Sequence, residues 1–346
     1  MEAQRWVVPG ERQVRLETIP LPEPGPDEIR VRTEASLVSA GTELAIYTGI
    51  HQGLTNPHVN WPKYPQVMGY MAVVRVDAVG ANVHEYHEGD RLLTSTGHVS
   101  HALIDLSAGS PVRFWRLPDE GPAHRLVFAR MAKTAATALT RTEVTFTQSV
   151  AVVGLGIIGQ VTLRLFEAAG SWPLVGVDPV AFRRDAALRG GARAALDPTA
   201  GNLREALHRV LPGGADIVVD ATGWASALPD ILALAREGGT VLVLGSPRGT
   251  APDVDFYRDL HRRNLRVLGA HDSGIGGVIR ESFTYTDTRV VPALVDWVLR
   301  GTVPVDDLIS HHVASTALEE MYLGLLEDKD RFLGVVLDWD GREAGK

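Results

Sequence analysis

Two kinds of hydrophobic pattern follow one another along the chain. Up to about residue 120, short segments alternate apolar and polar residues and are separated by proline and glycine, which is typical of β-strands. The strands that this pattern predicts are 4–8, 13–18, 28–38, 70–79 and 90–94. We therefore expect a β-rich first module.

From about residue 123 the pattern becomes helical, through 139, and strands then alternate with helices. The predicted strands are 149–153, 174–177, 216–220, 239–244 and 264–268, and the predicted helices between them are 159–169, 181–188, 203–211 and 227–236. Strands such as 216–220 are almost continuous apolar runs, as expected of parallel strands buried on both faces. The fold class is therefore predicted to be α/β, with a doubly wound parallel sheet.

A shorter tail follows, with predicted helices at 290–300 and 317–327 and a strand at 334–339. We expect the tail to return to the first module, which gives one domain from 1–125 and 272–346 and another from 126–271. We also expect the strand at 239–244 to lie near an exposed sheet edge that pairs across a twofold axis in a homodimer.

Composition excludes several classes of function. The 346 residues are 45% hydrophobic and 22% charged, which is typical of a globular protein, and the net charge of −8 without a basic run argues against nucleic acid as a partner. No apolar segment has the length of a membrane span or of a signal peptide, so we expect a cytoplasmic protein without a membrane partner. The absence of cysteine excludes disulfides, thiol nucleophiles and thiolate zinc sites.

The strongest motif is Gly-Leu-Gly-Ile-Ile-Gly at 154–159, between a predicted strand and a predicted helix. Gly154 would make the turn, Gly156 would let a pyrophosphate approach the backbone, and Gly159 would let the helix pack on the strand. The helix that begins at Ile157 and Ile158 would offer its free amides to the phosphates. The motif predicts a dinucleotide site, and its alternative is a turn in some other α/β protein.

An acidic residue completes this motif. Asp178 follows the next strand, about 20 residues after Gly159, where a carboxylate binds the ribose hydroxyls of NAD and repels the 2′-phosphate of NADP. Arg183 and Arg184 follow closely and would reverse that preference if they paired with a phosphate, so NADP stays possible. Further cofactor contacts are expected where later strands end in small residues, at Thr222, Gly245 and Ser246.

Several segments resemble the medium-chain dehydrogenase/reductase (alcohol dehydrogenase-like) superfamily: Ala40-Gly41-Thr42-Glu43, Met68-Gly69-Tyr70-Met71, Val79-Gly80 and Gly89-Asp90-Arg91. The resemblance covers nearly the whole chain. It implies a GroES-like β-rich catalytic domain, a Rossmann dinucleotide-binding domain and a small-molecule substrate.

The zinc chemistry of that superfamily is where this chain departs from it. By resemblance, Ala40 and Tyr70 stand where a cysteine and a histidine bind the catalytic zinc, and Ala45 stands near the usual proton-relay histidine. We therefore expect no zinc and no other metal. The segment is similar to a zinc-lacking branch that includes bacteriochlorophyllide dehydrogenase and sugar and cyclitol dehydrogenases, which implies interconversion of a secondary alcohol and its ketone.

Without zinc, hydrogen-bond donors and a proton carrier must stabilise the oxyanion that hydride transfer produces. By resemblance, Thr42 matches the hydroxyl that binds the substrate oxygen. Tyr70 is a candidate proton donor, and Glu43 is a candidate for orienting or polarising Tyr70. Alternatively, Tyr70 is a core residue at the start of a strand, and Thr42 and Glu43 cap a turn.

Lys133 is a further catalytic candidate, because it lies close to where the superfamily often has its third metal ligand. The alternative, which we favour at this point, is a lysine on a solvated helix face. Thr134 and Ala270 are expected to contact the nicotinamide, and His271 the substrate. Trp61 and Tyr64, in the long loop 50–65, are expected to form walls of the substrate site or to pack the loop down.

Three histidine pairs invite a metal interpretation, which we reject because no third ligand converges on them and polar turns are rich in histidine. The pairs are His84 with His87, His98 with His101, and His311 with His312.

Three functions remain open. The first is an NAD-dependent alcohol or polyol dehydrogenase. The second is an NADPH-dependent enoyl or quinone reductase, against which Asp178 argues. The third is a dinucleotide-binding protein without turnover.

Overall fold

A computed structural model of the chain describes residues 1–107, 110–272 and 285–341. Its strands are β1 (Glu2–Gly10), β2 (Gln13–Pro20), β3 (Glu28–Leu37), β4 (Gln66–Val67), β5 (Ala72–Val79), β6 (Arg91–Thr94), β7 (His101–Asp105), β8 (Phe114–Arg116), β9 (Val150–Val153), β10 (Leu174–Val177), β11 (Ala194–Leu196), β12 (Ala215–Asp220), β13 (Ala235–Val243), β14 (Arg266–Gly269), β15 (Ile309–Ala314) and β16 (Gly334–Asp338). Its α-helices are α1 (Ala40–Tyr47), α2 (Gln52–Thr55), α3 (Ala123–Leu126), α4 (Phe128–Thr140), α5 (Ile157–Ala168), α6 (Ala181–Arg189), α7 (Leu203–Val210), α8 (Leu228–Leu234), α9 (Asp287–Leu299) and α10 (Leu318–Glu327).

The chain divides into two compact units, and two of the boundaries between them fall inside α4 and α9. The first unit contains 1–130, 291–299 and 309–346, and the second contains 131–290 and 300–308. The predicted domain limits stay a prediction.

The first unit is built on β-sheets. One sheet has the order β2-β1-β4, and a larger one has the order β15-β16-β3-β5-β6-β8, with β7 paired to β3. Alternate residues of the central strands, such as Val31 and Val74, face an apolar cluster that water does not reach. A second cluster packs Met68 and Tyr322 with residues of α1, α10 and β16.

The second unit is a parallel sheet in the order β11-β10-β9-β12-β13-β14. Its two faces are covered by different helices, since Val150 and Val152 join a cluster that includes Phe166 of α5, whereas Ala151 joins one that includes Leu207 of α7. Burial on both faces explains the apolar runs of the strands. The predicted α/β fold class with a doubly wound parallel sheet is confirmed.

Two local predictions are wrong. The segment that contains Thr42 and Glu43 is not a turn but the helix α1, which buries Glu43 among apolar residues. The strand predicted at 239–244 belongs to β13, which pairs with both β12 and β14, so the strand at the sheet edge is β14. An almost continuous apolar sequence like that of β13 is typical of an interior strand and does not indicate a sheet edge.

None of the helices in the described ranges is long and apolar enough to cross a membrane.

A buried arginine ties a late segment of the second unit to α5. The Arg164 side chain is only 1% exposed, and its Nη2 lies 2.7 Å from Oδ2 of Asp307. Its Nη1 donates to Oε1 of Gln160 at 2.9 Å. Burial lowers the pKa of Arg164, and the charge and hydrogen bond of Asp307 oppose that shift.

We expect Asp307→Asn to lower the free energy of unfolding by about 1–3 kcal/mol, because it leaves the buried guanidinium without a charged partner. Urea denaturation followed by circular dichroism measures this change. The matched control is Asp330→Asn, which removes an exposed carboxylate. Equal stability of the two variants would contradict a stabilising role for the Arg164–Asp307 pair.

Candidate functional site

The turn between β9 and α5 needs glycine for steric reasons. Gly154 has a φ of +89°, and a Cβ on it would lie 2.8 Å from the backbone carbon of Ala221. A Cβ on Gly159 would lie 1.9 Å from the carbonyl oxygen of Gly154. A Cβ on Gly156, in contrast, would meet no atom of the described residues within 4 Å. Two glycines are thus required by the fold, and the third leaves space beside the amides of Ile157 and Ile158 at the start of α5.

The carboxylate of Asp178 is buried at the end of β10 and holds this turn. Its Oδ2 accepts a hydrogen bond from the amide of Leu155, and its Oδ1 accepts one from the amide of Val180, both at 2.8 Å. Nη1 of Arg183 lies 3.8 Å from Oδ2, and Nε of Arg183 is buried without a hydrogen-bond partner among the described residues. The carboxylate keeps lone pairs that can accept further hydrogen bonds.

Thr222 and Gly245 lie where the neighbouring strands β12 and β13 end. Oδ1 of Asp220 accepts hydrogen bonds from the Thr222 hydroxyl at 2.7 Å and from its amide at 2.9 Å. A Cβ on Gly245 would lie 2.6 Å from the backbone nitrogen of Gly223, and Ser246 after it is exposed. These residues adjoin the glycine turn, because a Cβ on Gly154 would lie 2.9 Å from the amide nitrogen of Thr222.

Trp224, which sequence reasoning did not single out, stands at the same edge of the sheet. Its side chain is 50% exposed, and Cζ of Arg248 lies 5.2 Å from the centre of its ring system. Burial lowers the pKa of Arg248. A tryptophan directly after a buried strand and its small-residue turn was the available signal.

Lys133 of α4 is fully buried, so the expectation of a solvated helix face is wrong. Its Nζ lies 3.3 Å from Oδ1 of Asp272 and 3.5 Å from Oδ1 of Asp287. The hydroxyl of Thr134 donates to the same oxygen of Asp272 at 3.0 Å. A buried ammonium requires compensating charge, and these aspartates supply it from parts of the chain far from α4.

Two predicted contacts follow β14. Ala270 is only 2% exposed and packs in the core, and its carbonyl accepts a hydrogen bond from Thr137 at 3.1 Å. His271, the next residue, is exposed. Of the two, His271 therefore presents its side chain to solvent, whereas Ala270 offers only its backbone.

In the first unit, Tyr70 is surrounded by hydroxyl groups. Its Oη lies 2.5 Å from Oγ of Ser39, and the hydroxyl of Thr42 also forms a hydrogen bond with it. Cζ of Arg130 lies 5.6 Å from the centre of the Tyr70 ring. Burial raises the pKa of Tyr70 and outweighs the hydrogen bonds from Ser39 and Thr42 and the charge of Arg130, all of which lower it. At neutral pH Tyr70 is therefore an uncharged phenol with a proton to donate.

Glu43 is turned towards the interior of the unit. Its Oε1 accepts from the amide of Ser39 at 2.7 Å, and its Oε2 accepts from Tyr322 at 2.6 Å and lies 2.9 Å from Nε2 of His98. Burial by itself raises the pKa of Glu43, but the charge and hydrogen bonds of these groups lower it below its ordinary value. Burial and the nearby charge of Glu43 raise the pKa of Tyr322 well above its usual range.

His98 was assigned to a polar turn with His101, and that interpretation is wrong. Its side chain is fully buried, with Nδ1 2.8 Å from Oγ of Ser36, while His101 begins β7. The sequence contains no local signal for this environment, because Glu43 lies 55 residues before His98 in the chain.

The other histidine pairs have different environments. His84 and His87 lie in an exposed loop, as expected of polar turns. His311 and His312 lie on β15 instead, and the ring of His311 stacks on that of Phe332 at 3.8 Å.

The two aromatic residues predicted to form a substrate wall differ in exposure. Trp61 is 50% exposed and contacts the ring of His51 edge-on at 5.4 Å. The phenol of Tyr64 donates to the carbonyl of Ile46 at 2.5 Å and packs against the apolar cluster around Tyr322. Tyr64 thus packs the loop down, and Trp61 is the residue with a free surface.

Comparison with known proteins finds similar dehydrogenases. Residues 158–285 match the family described as zinc-binding dehydrogenase. The chain is 29% identical over 203 residues to D-guloside 3-dehydrogenase of Escherichia coli (strain K12), a match that covers 58% of this chain and 57% of that one. The segment 158–285 therefore resembles the zinc-binding dehydrogenase family, and the named relatives are dehydrogenases.

Solved structures are similar over almost the whole length. A zinc-binding dehydrogenase from Sinorhizobium meliloti 1021 bound to NADP has a TM-score of 0.77 at 21% identity, over 98% of this chain and 99% of that one. A short chain alcohol dehydrogenase from E. coli CFT073 complexed with NADH has a TM-score of 0.80 at 17% identity, over 97% and 99%. At these identities the likeness shows the fold alone.

The residues of this chain do not fit the zinc after which the matching family is named. A catalytic zinc needs three protein ligands with nitrogen, sulfur or carboxylate donors. By the resemblance, the positions of those ligands hold the methyl group of Ala40, the phenol of Tyr70, whose pKa is raised by burial, and the side-chain amine of Lys133. Within 1–107, 110–272 and 285–341, no group of three His, Cys, Asp or Glu side chains is arranged to hold a metal ion.

The two substitutions Gly156→Ala and Gly159→Ala should have different consequences. We expect Gly156→Ala to fold normally and to bind NADH about tenfold or more weakly, because its methyl group enters the space left for the ligand. Gly159→Ala should lower the melting temperature, because its Cβ overlaps a backbone oxygen. Thermal denaturation and calorimetric titration with NADH separate the two effects, and unchanged NADH affinity in Gly156→Ala would contradict a ligand at this turn.

Proposed function

We propose that this protein is an oxidoreductase that uses NAD(H), without zinc, to interconvert a secondary alcohol and its ketone. The observation that carries the proposal is the neutral phenol of Tyr70, whose hydroxyl group is hydrogen-bonded to the hydroxyls of Ser39 and Thr42. The substrate is a small molecule, such as a sugar, a cyclitol or a natural-product intermediate. Because the chain spans only 57% of the D-guloside 3-dehydrogenase that it matches, both activity and substrate class are part of the proposal.

Each predicted domain has its own role in this proposal. Residues 1–125 with 272–346 would form the catalytic domain, and 126–271 would bind the dinucleotide. The pyrophosphate would bind at Gly154, Gly156 and Gly159 and the amides of Ile157 and Ile158, and the ribose at Asp178. A bound nicotinamide supplies or accepts the hydride. Further contacts are assigned to Thr134, Thr222, Gly245, Ser246 and the backbone of Ala270.

Tyr70 is proposed as the proton donor to the substrate oxygen. Hydride addition to a ketone produces an alkoxide, which needs hydrogen-bond donors and a proton. Thr42 would donate a hydrogen bond to this oxygen, and Tyr70 would supply the proton. The charge then left on the phenol would be stabilised by the hydroxyl of Ser39 and by the guanidinium of Arg130, both of which lower the pKa of Tyr70.

Glu43 and Lys133 complete the proposed catalytic set. Glu43 would orient Tyr70 indirectly, through the backbone amide of Ser39. Lys133, held by two aspartates, is proposed as a second proton carrier next to Thr134. His271, Trp61 and Tyr64 are assigned to the substrate, and the side chains of His271 and Trp61 are exposed.

The cofactor preference depends on Asp178. Its carboxylate favours ribose hydroxyls over a 2′-phosphate, which supports NAD. The buried Nε of Arg183, which has no hydrogen-bond partner in the described chain, favours the second candidate function, an NADPH-dependent enoyl or quinone reductase. Dinucleotide binding without turnover is the third outcome.

Two further features belong to this proposal. The exposed residues Arg266 and Val267 of the edge strand β14 would pair with a second copy in a homodimer. The absence of cysteine is suited to a reducing compartment, and we propose that the protein works in the cytoplasm.

Calorimetric titration of the metal-analysed protein with NADH and with NADPH tests the cofactor assignment. We expect tighter binding of NADH, and about a tenfold loss of that affinity in Asp178→Ala, because the carboxylate binds the ribose and holds the turn. Asp185→Ala, which removes a nearby exposed carboxylate, is the control. Tighter NADPH binding, weakened by Arg183→Ala, would favour the reductase, and stoichiometric zinc would contradict the metal-free mechanism.

The role of Tyr70 predicts a pH dependence. Since a proton donor must be protonated, kcat for ketone reduction should be constant around neutral pH and fall only above the usual range of tyrosine, where Tyr70 with its raised pKa ionises. Tyr70→Phe should lower kcat by about 100-fold or more and leave NADH binding intact. Steady-state kinetics across pH with a panel of sugars and cyclitols measures both effects. Full activity of Tyr70→Phe would exclude Tyr70 as the donor.

A further inference from the structure

The carboxylate of Glu43 is buried in the first unit and is held there by hydrogen bonds. The residue is 1% exposed, and its neighbours His98 and Tyr322 are both fully buried. An ionised carboxylate in such a place is stable only when several donors satisfy it, because water cannot. Three donors are present, namely the amide of Ser39, the phenol of Tyr322 and the ring of His98.

The directions of the hydrogen bonds can be assigned along this chain of groups. The indole nitrogen of Trp339 can only donate, and it donates to Oγ of Ser36 at 2.9 Å. The ionised Glu43 can only accept, so Nε2 of His98 must carry a proton. Nδ1 of His98 lies 2.8 Å from Oγ of Ser36, a hydroxyl that can both donate and accept, so each group along the chain has a partner within hydrogen-bond distance.

Ser39 connects this buried chain to the proposed proton donor. Ser39 is the N-cap residue of α1, where a serine hydroxyl usually accepts a bond from an amide of the first turn. It makes no such bond here, and its hydroxyl lies against Tyr70 instead. The carboxylate of Glu43 accepts the hydrogen bond of the Ser39 backbone amide, although Glu43 stands one position beyond the glutamate of a capping box. The hydroxyl of Ser39 is thereby available to Tyr70.

We propose that His98 is a positioning residue for proton transfer: by holding Glu43, it fixes the first turn of α1 so that the hydroxyls of Ser39 and Thr42 meet the phenol of Tyr70. This inference rests on the proposed function. His98 touches neither substrate nor dinucleotide in this scheme, and acts through Glu43 and Ser39. Ser39 becomes part of the candidate site, as the hydroxyl that stabilises the phenol when it gives up its proton.

In this scheme the buried histidine is needed to keep Glu43 in place. Without the histidine, Oε2 of Glu43 would have only the Tyr322 phenol, and the carboxylate would move towards another donor. Any movement of Glu43 displaces the Ser39 amide to which it is bonded, and with it the start of α1. Displacements of about 1 Å in a catalytic group lower rates by up to about 100-fold.

The test compares substitutions at His98 with two controls. We expect His98→Leu to lower kcat/KM for the alcohol by about 10- to 100-fold while the Kd for NADH stays within about twofold. His98→Gln should recover part of the loss, because its amide can still donate to Glu43. His101→Gln alters a histidine outside the network, and Val74→Ala destabilises the other apolar cluster of the same unit.

A second measurement does not depend on turnover. Ultraviolet titration of the phenolate, taken as the difference between each variant and the same variant with Tyr70→Phe, gives the pKa of Tyr70. In His98→Leu this pKa should rise further, because the hydrogen bond from Ser39 lowers it.

The outcomes separate the two proposals. An unchanged Tyr70 titration in a folded His98→Leu, or an equal loss of kcat/KM in Val74→Ala at the same stability, would overturn the positioning role. A wild-type chain that binds NADH but turns over no alcohol or ketone would overturn the proposed function. The Tyr70 titration would still decide whether His98 positions the hydroxyl groups.

Discussion

A buried carboxylate governs the geometry of the first unit. Glu43 is held by His98, Tyr322 and the amide of Ser39, and together these groups compensate a charge that the apolar interior would otherwise disfavour. Since Glu43 lies in α1, the bonds that satisfy it also set the position of that helix. The hydroxyls of Ser39 and Thr42 are carried by the same turn, so their approach to Tyr70 depends on this one charge.

In the second unit, one carboxylate likewise holds the turn of the glycine motif. Asp178 is bonded to two backbone amides, so the residue expected to bind the ribose also holds the loop that is expected to bind the pyrophosphate. Gly154 and Gly159 are required by close backbone contacts, whereas Gly156 borders open space. The fold thus requires two of the three glycines that look equivalent in the motif, and it does not require the third.

Local patterns were sufficient for most of the fold and for the dinucleotide motif. Parallel strands buried on both faces must be apolar along their whole length, and a strand–glycine–helix turn needs its glycines at fixed spacing, so both features are readable in a short window of sequence. The helix α1 was missed because its first turn is stabilised by Glu43, whose own stability depends on distant residues. The wrong edge assignment of β13 has a different cause, because its apolar run is itself typical of an interior strand, and the structure pairs it with β14.

The sequence by itself determined the α/β class, the glycine turn, the acid after the second strand and the absence of thiolate ligands, since each depends on residue type and near neighbours. Only the tertiary structure decided which side chains are buried and what compensates them. Lys133 was expected on a solvated face and is enclosed with Asp272 and Asp287, and His98 was expected in a polar turn and is bonded to Glu43. The physical reason is that the cost of burying a charge is met by partners from distant parts of the chain, which no local pattern records.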